Sequence, residues 1–269
     1  MASWKLEGSG KLTFDRVDRL VVETVEGAIS VVGSDGQPTL EILELAGPPL
    51  RVRHEDGTLT VDYERPAGSG LLAWLSGWGW RRHRAVLSLA VPRDCRVELR
   101  VVSAGLMVSG LRAPVRARTV SGDITLAGLG GAAEAETVSG SIEASGVSGD
   151  LAAGTVSGDL TVAEGGGSVR GHTVSGAIAL DLEASGDRDL QLSSVSGDLT
   201  VRLPGASDIQ VTLQSTSGQV ASAFDELEHD RTPGRHAAEG RLGAGTGRLR
   251  ATSTSGHVAL LRRAPEAHS

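Results

Sequence analysis

The chain has 269 residues, a formal net charge of −7, 37 glycines and only 3% aromatic residues. An acidic chain without a long run of Lys and Arg is poorly suited to bind phosphate backbones, so we expect no nucleic-acid partner. The single cysteine, Cys95, excludes a disulfide within the chain. Many glycines and few aromatic residues favour a narrow aliphatic core with glycine at its corners.

The first hundred residues predict an N-terminal extension over 1–10 and irregular, wider coils over 11–100. Short apolar segments bounded by turn residues predict strands at 20–23, 28–32, 40–43, 59–63 and 85–92. The N-terminal sequence has no apolar leader, and no stretch of about 18 apolar residues occurs. We therefore expect a cytoplasmic protein. Association with a membrane through a partner stays open.

A segment rich in tryptophan and arginine interrupts these coils at 66–84 and holds three of the four tryptophans. Trp and Arg are common at the centres of interfaces, and an apolar loop beside arginines also suits a membrane surface. One interpretation is a contact with a partner, or a peripheral membrane contact, over 71–84. The other is a cap over the open N-terminal end of the coils. The residues of the predicted contact are Trp74, Trp78, Trp80, Arg81, Arg82 and Arg84.

A repeated motif dominates residues 101–222. The sequence Thr-Val-Ser-Gly at 119–122 returns every 18 residues, at 137–140, 155–158 and 173–176. Related copies follow at 194–197, 215–218 and 253–256, the first two at intervals of 21 residues. A fixed period of this kind indicates stacked structural repeats, each of which packs against its neighbours.

Alternation within each repeat predicts which side chains face the core. In the first copy Val120, Ile124 and Leu126 share one parity, so we expect them to point inward. Stacked coils would align these positions in two internal columns, Val120, Val138, Val156, Val174 and Val195 in one and Ile124, Ile142, Leu160, Ile178 and Leu199 in the other. The sequence therefore predicts an all-β, single-domain parallel β-solenoid (β-helix) over 11–262, with about 18–21 residues per coil.

The threonines and serines of the motif take the opposite parity, which predicts that they face outward. They would then form a regular hydroxyl array on a flat face, suited to an ordered polymer such as a polysaccharide, or to ice. The alternative is that small polar residues simply suit a tight corner. This secondary binding face comprises Thr119, Ser121, Thr137, Ser139, Thr155, Ser157, Thr173 and Ser175.

The C-terminal part departs from the repeat. Residues 223–247 are polar and contain Pro-Gly and Gly-rich stretches, which predict a long loop. A last coil is expected at 248–262, followed by a frayed tail at 263–269.

Signatures of catalysis and of metal binding are weak. The acidic positions of the repeats do not form the Gly-rich acidic pattern of a calcium-binding β-helix, so we expect no metal and no cofactor. Asp123 and Asp159, two coils apart, have a spacing near the upper limit for glycosidase carboxylates, but no aromatic sugar platform accompanies them. We expect no enzymatic activity.

The repeats, the strand end Val91-Pro92 leading into 97–103, and the Gly-rich stretch before 253–256 resemble the "putative adhesin" β-strand-repeat family DUF4097, also called Toastrack. The similarity covers roughly residues 11–262. It implies a bacterial β-solenoid without established catalytic residues, often found in envelope-stress or cell-surface contexts.

The function favoured by these observations is non-enzymatic binding or scaffolding, with a protein partner or with further copies of the chain. Two alternatives stay open. One is a self-assembling filament, in which exposed end strands pair between molecules. The other is a polysaccharide-active enzyme on a β-helix.

Overall fold

The computed structural model describes residues 2–63, 83–183, 187–232 and 235–263. Its regular elements in these ranges are all β-strands, and no helix long and apolar enough to cross a membrane occurs among them. The chain divides into two compact units, residues 1–125 and 126–269. Each unit contains stacked parallel strands in two sheets, which confirms the predicted all-β solenoid. The single-domain organisation over 11–262 stays a prediction.

Unit 1 consists of short strands in two sheets, A and B. Alternating apolar residues give these strands one buried face, as in 84–92, where Ala85, Leu87 and Leu89 are buried. The strands are β1 (Ala2–Leu6), β2 (Gly10–Thr13), β3 (Arg19–Glu23), β4 (Glu26–Ser34), β5 (Thr39–Ala46), β6 (Leu50–Glu55), β7 (Thr58–Tyr63), β8 (Arg84–Pro92), β9 (Arg96–Arg100), β10 (Ser103–Ser109), β11 (Val115–Arg118) and β12 (Ile124–Ala127), which crosses the division between the units.

The beginning of unit 1 is closed by antiparallel strands. In this unit sheet A has the order β1-β6-β7-β3-β9-β11, and sheet B has the order β2-β5-β8-β4-β10. The pairs β3–β9, β9–β11, β4–β8 and β4–β10 are parallel, whereas β1–β6, β6–β7, β2–β5 and β5–β8 are antiparallel. Residues 2–6, predicted as part of an extension, are paired along their whole length with β6. Antiparallel hairpins can fold locally, so they give the unit a defined edge.

A buried carboxylate ties two of these antiparallel strands together. Asp62 on β7 accepts two hydrogen bonds from Arg51, at 2.9 and 3.0 Å, and one from Arg53, at 2.8 Å. Both arginines lie on β6, which pairs with β7. Because the carboxylate is largely shielded from water, this bidentate contact with Arg51 is stronger than an exposed ion pair.

Unit 2 holds the regular repeats. Each 18-residue coil contributes one strand to sheet A and one to sheet B, joined by tight corners. The strands are β13 (Ala133–Glu136), β14 (Ile142–Ser145), β15 (Leu151–Ser157), β16 (Leu160–Ala163), β17 (Val169–Ser175), β18 (Ile178–Asp181), β19 (Asp189–Ser194), β20 (Leu199–Pro204), β21 (Ile209–Ser215), β22 (Val220–Ser222), β23 (Leu227–Thr232), β24 (Arg235–Leu242), β25 (Gly247–Ser253) and β26 (Val258–Arg263).

An aliphatic column runs through the core of unit 2. Parallel pairing in register places Ile142, Leu160, Ile178 and Leu199 beside one another, and all four are fully buried. This confirms the predicted column of Ile and Leu. Burial of each such side chain stabilises the fold by about 1.5–3 kcal/mol, so the column is a main contributor to the stability of the stack.

The coils of unit 2 are not stacked in sequence order. In sheet A β25 lies between β19 and β21, and in sheet B β26 lies between β20 and β22. The predicted last coil is therefore an internal one. Its final strand continues to Arg263, so the predicted frayed tail does not begin there, and residues 264–269 lie outside the described ranges.

The prediction of a loop over 223–247 is wrong. Strands β23 and β24 form an antiparallel hairpin in this region, and β24 also pairs with β21. Leu227, Ala237, Ala238 and Leu242 are buried. Pairing with an existing sheet edge satisfies the backbone groups of the hairpin, which compensates for its weakly apolar sequence.

Candidate functional site

The repeated motif forms the corner between a strand of sheet A and the next strand of sheet B, and its threonine points inward. Thr155 is 2% exposed, and its hydroxyl donates to the carbonyl oxygen of Gly140 in the preceding coil at 3.2 Å. Thr173 makes the equivalent bond to Gly158 at 3.5 Å. The buried hydroxyl thus satisfies a corner carbonyl that no strand partner reaches.

The later copies use serine for the same purpose. The Ser215 hydroxyl donates to the carbonyl of Gly256 at 2.8 Å and accepts from the amide of Gly218 at 2.9 Å. Ser253 likewise donates to the carbonyl of Gly197 at 3.2 Å. Thr and Ser at this position therefore join each corner to the next.

The predicted outward orientation of the threonines is consequently wrong. Thr119, Thr137, Thr155 and Thr173 of the predicted hydroxyl face are all buried. Ser121, Ser139, Ser157 and Ser175 are exposed, as predicted. The hydroxyl face is thus reduced to its serines.

The predicted internal column of valines is also wrong. Val138, Val156, Val174 and Val195 are 44–47% exposed, whereas most other large aliphatic side chains of the described residues are buried. In unit 1 Val120 is exposed in the same way, while Thr119 is buried and donates to the carbonyl of Ala104 at 3.4 Å. Threonine and valine have therefore exchanged the places that the alternation predicted.

The glycine of the motif is required by the close approach of the coils. A Cβ atom added to Gly158 would overlap the carbonyl oxygen of Gly140, and one added to Gly176 would overlap that of Gly158. The same overlap would occur at Gly197. Only a residue without a side chain lets the corners stack at the strand spacing of about 4.8 Å.

These contacts align the exposed side chains of unit 2 in a straight surface. The amide of Ser157 donates to the carbonyl of Val138 at 2.8 Å, and that of Ser196 donates to Val174 at 2.9 Å. The corner backbones are thus hydrogen-bonded like strands. We call the resulting surface the corner stripe, defined as Val138, Val156, Val174 and Val195 with the adjacent Ser139, Ser157, Ser175 and Ser196.

The corner stripe changes character in the next coils. In the coil of β25 the valine position is occupied by Thr254, and in the coil of β21 by Thr216, both exposed. The amide of Ser255 donates to the carbonyl of Val195 at 2.9 Å, so the backbone continues without a break. Within unit 2 the apolar part of the surface is therefore limited to four coils.

The aspartates beside the corners have a structural role. Asp159 accepts a hydrogen bond from the amide of Ala177 at 2.8 Å, and Asp198 accepts one from the amide of His257 at 2.7 Å. Asp150 does the same at the opposite corner, for Ser168 at 3.1 Å. Across the described ranges, no cluster of three or more His, Cys, Asp or Glu side chains is suited to a metal ion.

The predicted tryptophan and arginine contact falls mostly outside the described residues. Trp74, Trp78, Trp80, Arg81 and Arg82 all lie in the range 64–82, which the structure does not describe.

Only Arg84 of this predicted set lies within the described residues. It is exposed at the start of β8 and forms ion pairs with Glu44 at 3.2 Å and with Glu26 at 3.9 Å. The contact itself stays a prediction.

A two-sheet stack of parallel coils with a buried hydroxyl and a glycine at each corner defines the class of protein, a β-solenoid. The family model described as Toastrack DUF4097 matches residues 50–261. This range is most of the chain, and the chain therefore belongs to the Toastrack DUF4097 family. A comparison with curated proteins gives no match.

Two solved structures are similar to this chain at low identity. A "putative adhesin" of Bacteroides fragilis is 11% identical with a TM-score of 0.49, covering 94% of this chain and 97% of that chain. A "Putative lipid binding protein" of Parabacteroides distasonis is 12% identical with a TM-score of 0.45, covering 95% and 96%. At these values neither likeness is evidence for the fold or the function of this chain.

Proposed function

We propose that this protein is a non-enzymatic binding scaffold whose corner stripe contacts a partner protein. The observation that supports the proposal is the alignment of four half-exposed valines at equivalent positions on adjacent coils. Isolated exposed aliphatic residues are common, but a contiguous row of them is a feature of interaction surfaces.

The rigidity of the corner stripe suits this role. Valine has few rotamers, and the hydrogen bonds between corners fix its backbone, so binding would cost little conformational entropy. The neighbouring serines provide hydrogen-bonding groups at the rim. A surface of this size corresponds to a small interface, and we therefore expect a weak or transient complex.

The edges of unit 2 favour recognition over the filament alternative. In sheet A the edge strand β23 carries the exposed charged residues Glu228 and Asp230, and in sheet B the edge strand β22 has only three residues. Charges and short length both disfavour pairing of sheet edges between molecules.

Two further parts of the proposal concern the segment 71–84 and the place of action. A second contact through Trp74, Trp78 and Trp80, with a partner or a membrane surface, is tested by replacing all three with serine and measuring liposome binding. Binding by the triple variant at the level of the wild type would contradict the second contact.

A cytoplasmic location is tested by fractionation of cells that contain the full chain.

The corner stripe is tested by site-specific photo-crosslinking in cells. A photoreactive residue at Val156 should give a discrete adduct with a partner protein, identified by mass spectrometry and reconstituted with the purified partner. Thr161 is the matched control, because it is also exposed and lies on the same coil but away from the corner.

A second variant, Val174→Lys, places a charge in the stripe and should abolish the adduct formed from Val156. Equal adducts from Val156 and Thr161, or an adduct unaffected by Val174→Lys, would contradict the proposal.

A further inference from the structure

A shallow depression lies on the outer face of sheet A in unit 2, away from the corner residues. Its polar lining is arranged in two rows that cross β17, β19 and β25. One row is Arg170, Gln191 and Arg250, and the other is His172, Ser193 and Thr252. The depression is therefore built by residues from three neighbouring strands.

The two arginines of the depression are without a partner. Within the described part of the chain, neither the Arg170 nor the Arg250 guanidinium group makes a hydrogen bond or an ion pair, and both residues are exposed. Some other arginines of the same unit are paired, as Arg202 is with Asp181 at 3.0 Å. The guanidinium groups of Arg170 and Arg250 thus keep their donors available to a ligand.

The spacing of the two arginines allows both to contact one ligand. They flank Gln191 on adjacent strands, so their Cα atoms are about 9.6 Å apart. The Gln191 amide donates to Asp189 at 2.7 Å, which fixes the side chain between them. An arginine side chain is long enough to reach over Gln191 from either side. Arg170 and Arg250 can therefore both direct their N–H donors at one ligand above Gln191.

The second row adds further polar groups beside the first. The hydroxyls of Ser193 and Thr252 and the ring of His172 lie one row further along the same strands. Asp189 lies on the same face, two residues before Gln191. In the first row, Glu239 lies two strands beyond Arg250 and Glu134 two strands beyond Arg170, and in the second row Glu136 lies two strands beyond His172. The donors therefore occupy the middle of the rows, and no carboxylate lies between the two arginines.

We propose that this depression is a binding site for an oxyanion, a phosphate or sulfate group, held by Arg170 and Arg250 with the hydroxyls beside them. Paired guanidinium groups with neutral donors are the arrangement that recognises such anions. The site goes beyond the proposed scaffold function and does not depend on the corner stripe.

Gly154 contributes to the shape of this site. It lies beside His172 on the adjacent strand β15, and a Cβ atom added there would overlap the imidazole ring. The ring thus lies over the glycine and leaves the space above Ser193 open. Gly154→Ala changes no charge but displaces the ring, so it probes the geometry of the site separately from its electrostatics.

The test is a titration of the full chain with inorganic phosphate at constant ionic strength, followed by amide chemical shifts in NMR. The expected result is a saturable shift confined to β17, β19 and β25. Arg170→Gln and Arg250→Gln should each weaken binding roughly tenfold or more, because each removes a charge-assisted contact. Gly154→Ala should also weaken binding while the rest of the spectrum is retained.

Arg248→Gln is the matched control, because it removes the same charge from the same strand but does not line the depression. A parallel titration with O-phosphoserine distinguishes a free ion from a phosphate carried on a larger molecule. Shifts that do not saturate, or equal losses from Arg248→Gln and Arg250→Gln, would overturn the proposal, since either result means diffuse attraction of anions.

Discussion

Replacing Gly158 with alanine should open the stack at one corner. The added Cβ atom would overlap the carbonyl oxygen of Gly140, a backbone atom that cannot rotate away. The two coils would have to separate locally. The hydroxyl of Thr155, which donates to that same carbonyl at 3.2 Å, would lose its partner as they do so.

The expected loss of stability follows from these contacts. Overpacking in a dense region costs about 1–3 kcal/mol. The hydrogen bond of Thr155 and the backbone bond from Ser157 to Val138 each contribute about 0.5–1.5 kcal/mol. We therefore expect Gly158→Ala to lower the free energy of unfolding by about 2–6 kcal/mol.

Urea denaturation followed by circular dichroism measures this effect. The control is Gly105→Ala on β10, where an added Cβ atom has nothing within 4 Å. Alanine there should be neutral or stabilise by up to about 1 kcal/mol, since it restricts the unfolded chain. If Gly158→Ala unfolds at the urea concentration of the wild type, the close stacking of the corners is refuted.

Further predictions concern single contacts and pH. Thr155→Val should lower the free energy of unfolding by about 1–3 kcal/mol, because it leaves a buried carbonyl without a donor. Val156→Thr on the exposed corner stripe should change it by less than about 0.5 kcal/mol. A larger loss from Val156→Thr than from Thr155→Val in urea denaturation would instead support a valine that points inward. Asp198→Ala should lower the free energy of unfolding by about 0.5–1.5 kcal/mol, because it removes the hydrogen bond that Asp198 accepts from the His257 amide at 2.7 Å. Asp198→Asn keeps an acceptor and should cost less in the same assay. Burial raises the pKa of Cys95 and of Tyr63 to about 12, from ordinary values of 9.0 and 10.0. Both groups therefore favour the folded state while protonated, and stability should be retained below about pH 9 and lost as the pH rises toward 12. Denaturation at pH 8 and pH 11 checks this, and a Cys95→Ala, Tyr63→Phe variant that lost as much stability as the wild type would contradict it.

The repeat period predicted the coils correctly because period and fold have the same physical cause. An 18-residue unit with one aliphatic position in register stacks so that this position forms a column, as Ile142 and Leu160 do. The parallel pairing follows from the repetition itself. Neither inference requires knowledge of the corner conformation.

The sequence pattern predicts the wrong orientation of the corner residues because the alternation of inward and outward side chains does not continue across a bend in the chain. The prediction extended the parity of Ile124 back through Gly122, where the chain turns and the period of two is lost. Extending the parity of the preceding strand instead would have placed threonine inside, because Leu151, Ala153 and Thr155 alternate as buried residues on β15.

The depression with Arg170 and Arg250 could not be predicted from sequence order. These residues come from strands separated by about four coils of sequence, and they are neighbours only because β25 pairs with β19. The coil of β21 is equally compatible with that position, since it carries the same Ser-Thr-Ser-Gly motif as the coil of β25. Nothing in the local sequence distinguishes the two orders.

The internal position of the coil of β25 and β26 affects how the chain can fold during synthesis. Residues 209–222 leave the ribosome before residues 247–263, yet the later residues must lie between the earlier ones and β19. Until then the edge of β19 is open, and β21 carries a motif able to pair there in place of β25. Premature docking would have to be reversed before the coil could be inserted. Such a step delays folding and leaves an unpaired edge exposed in the meantime.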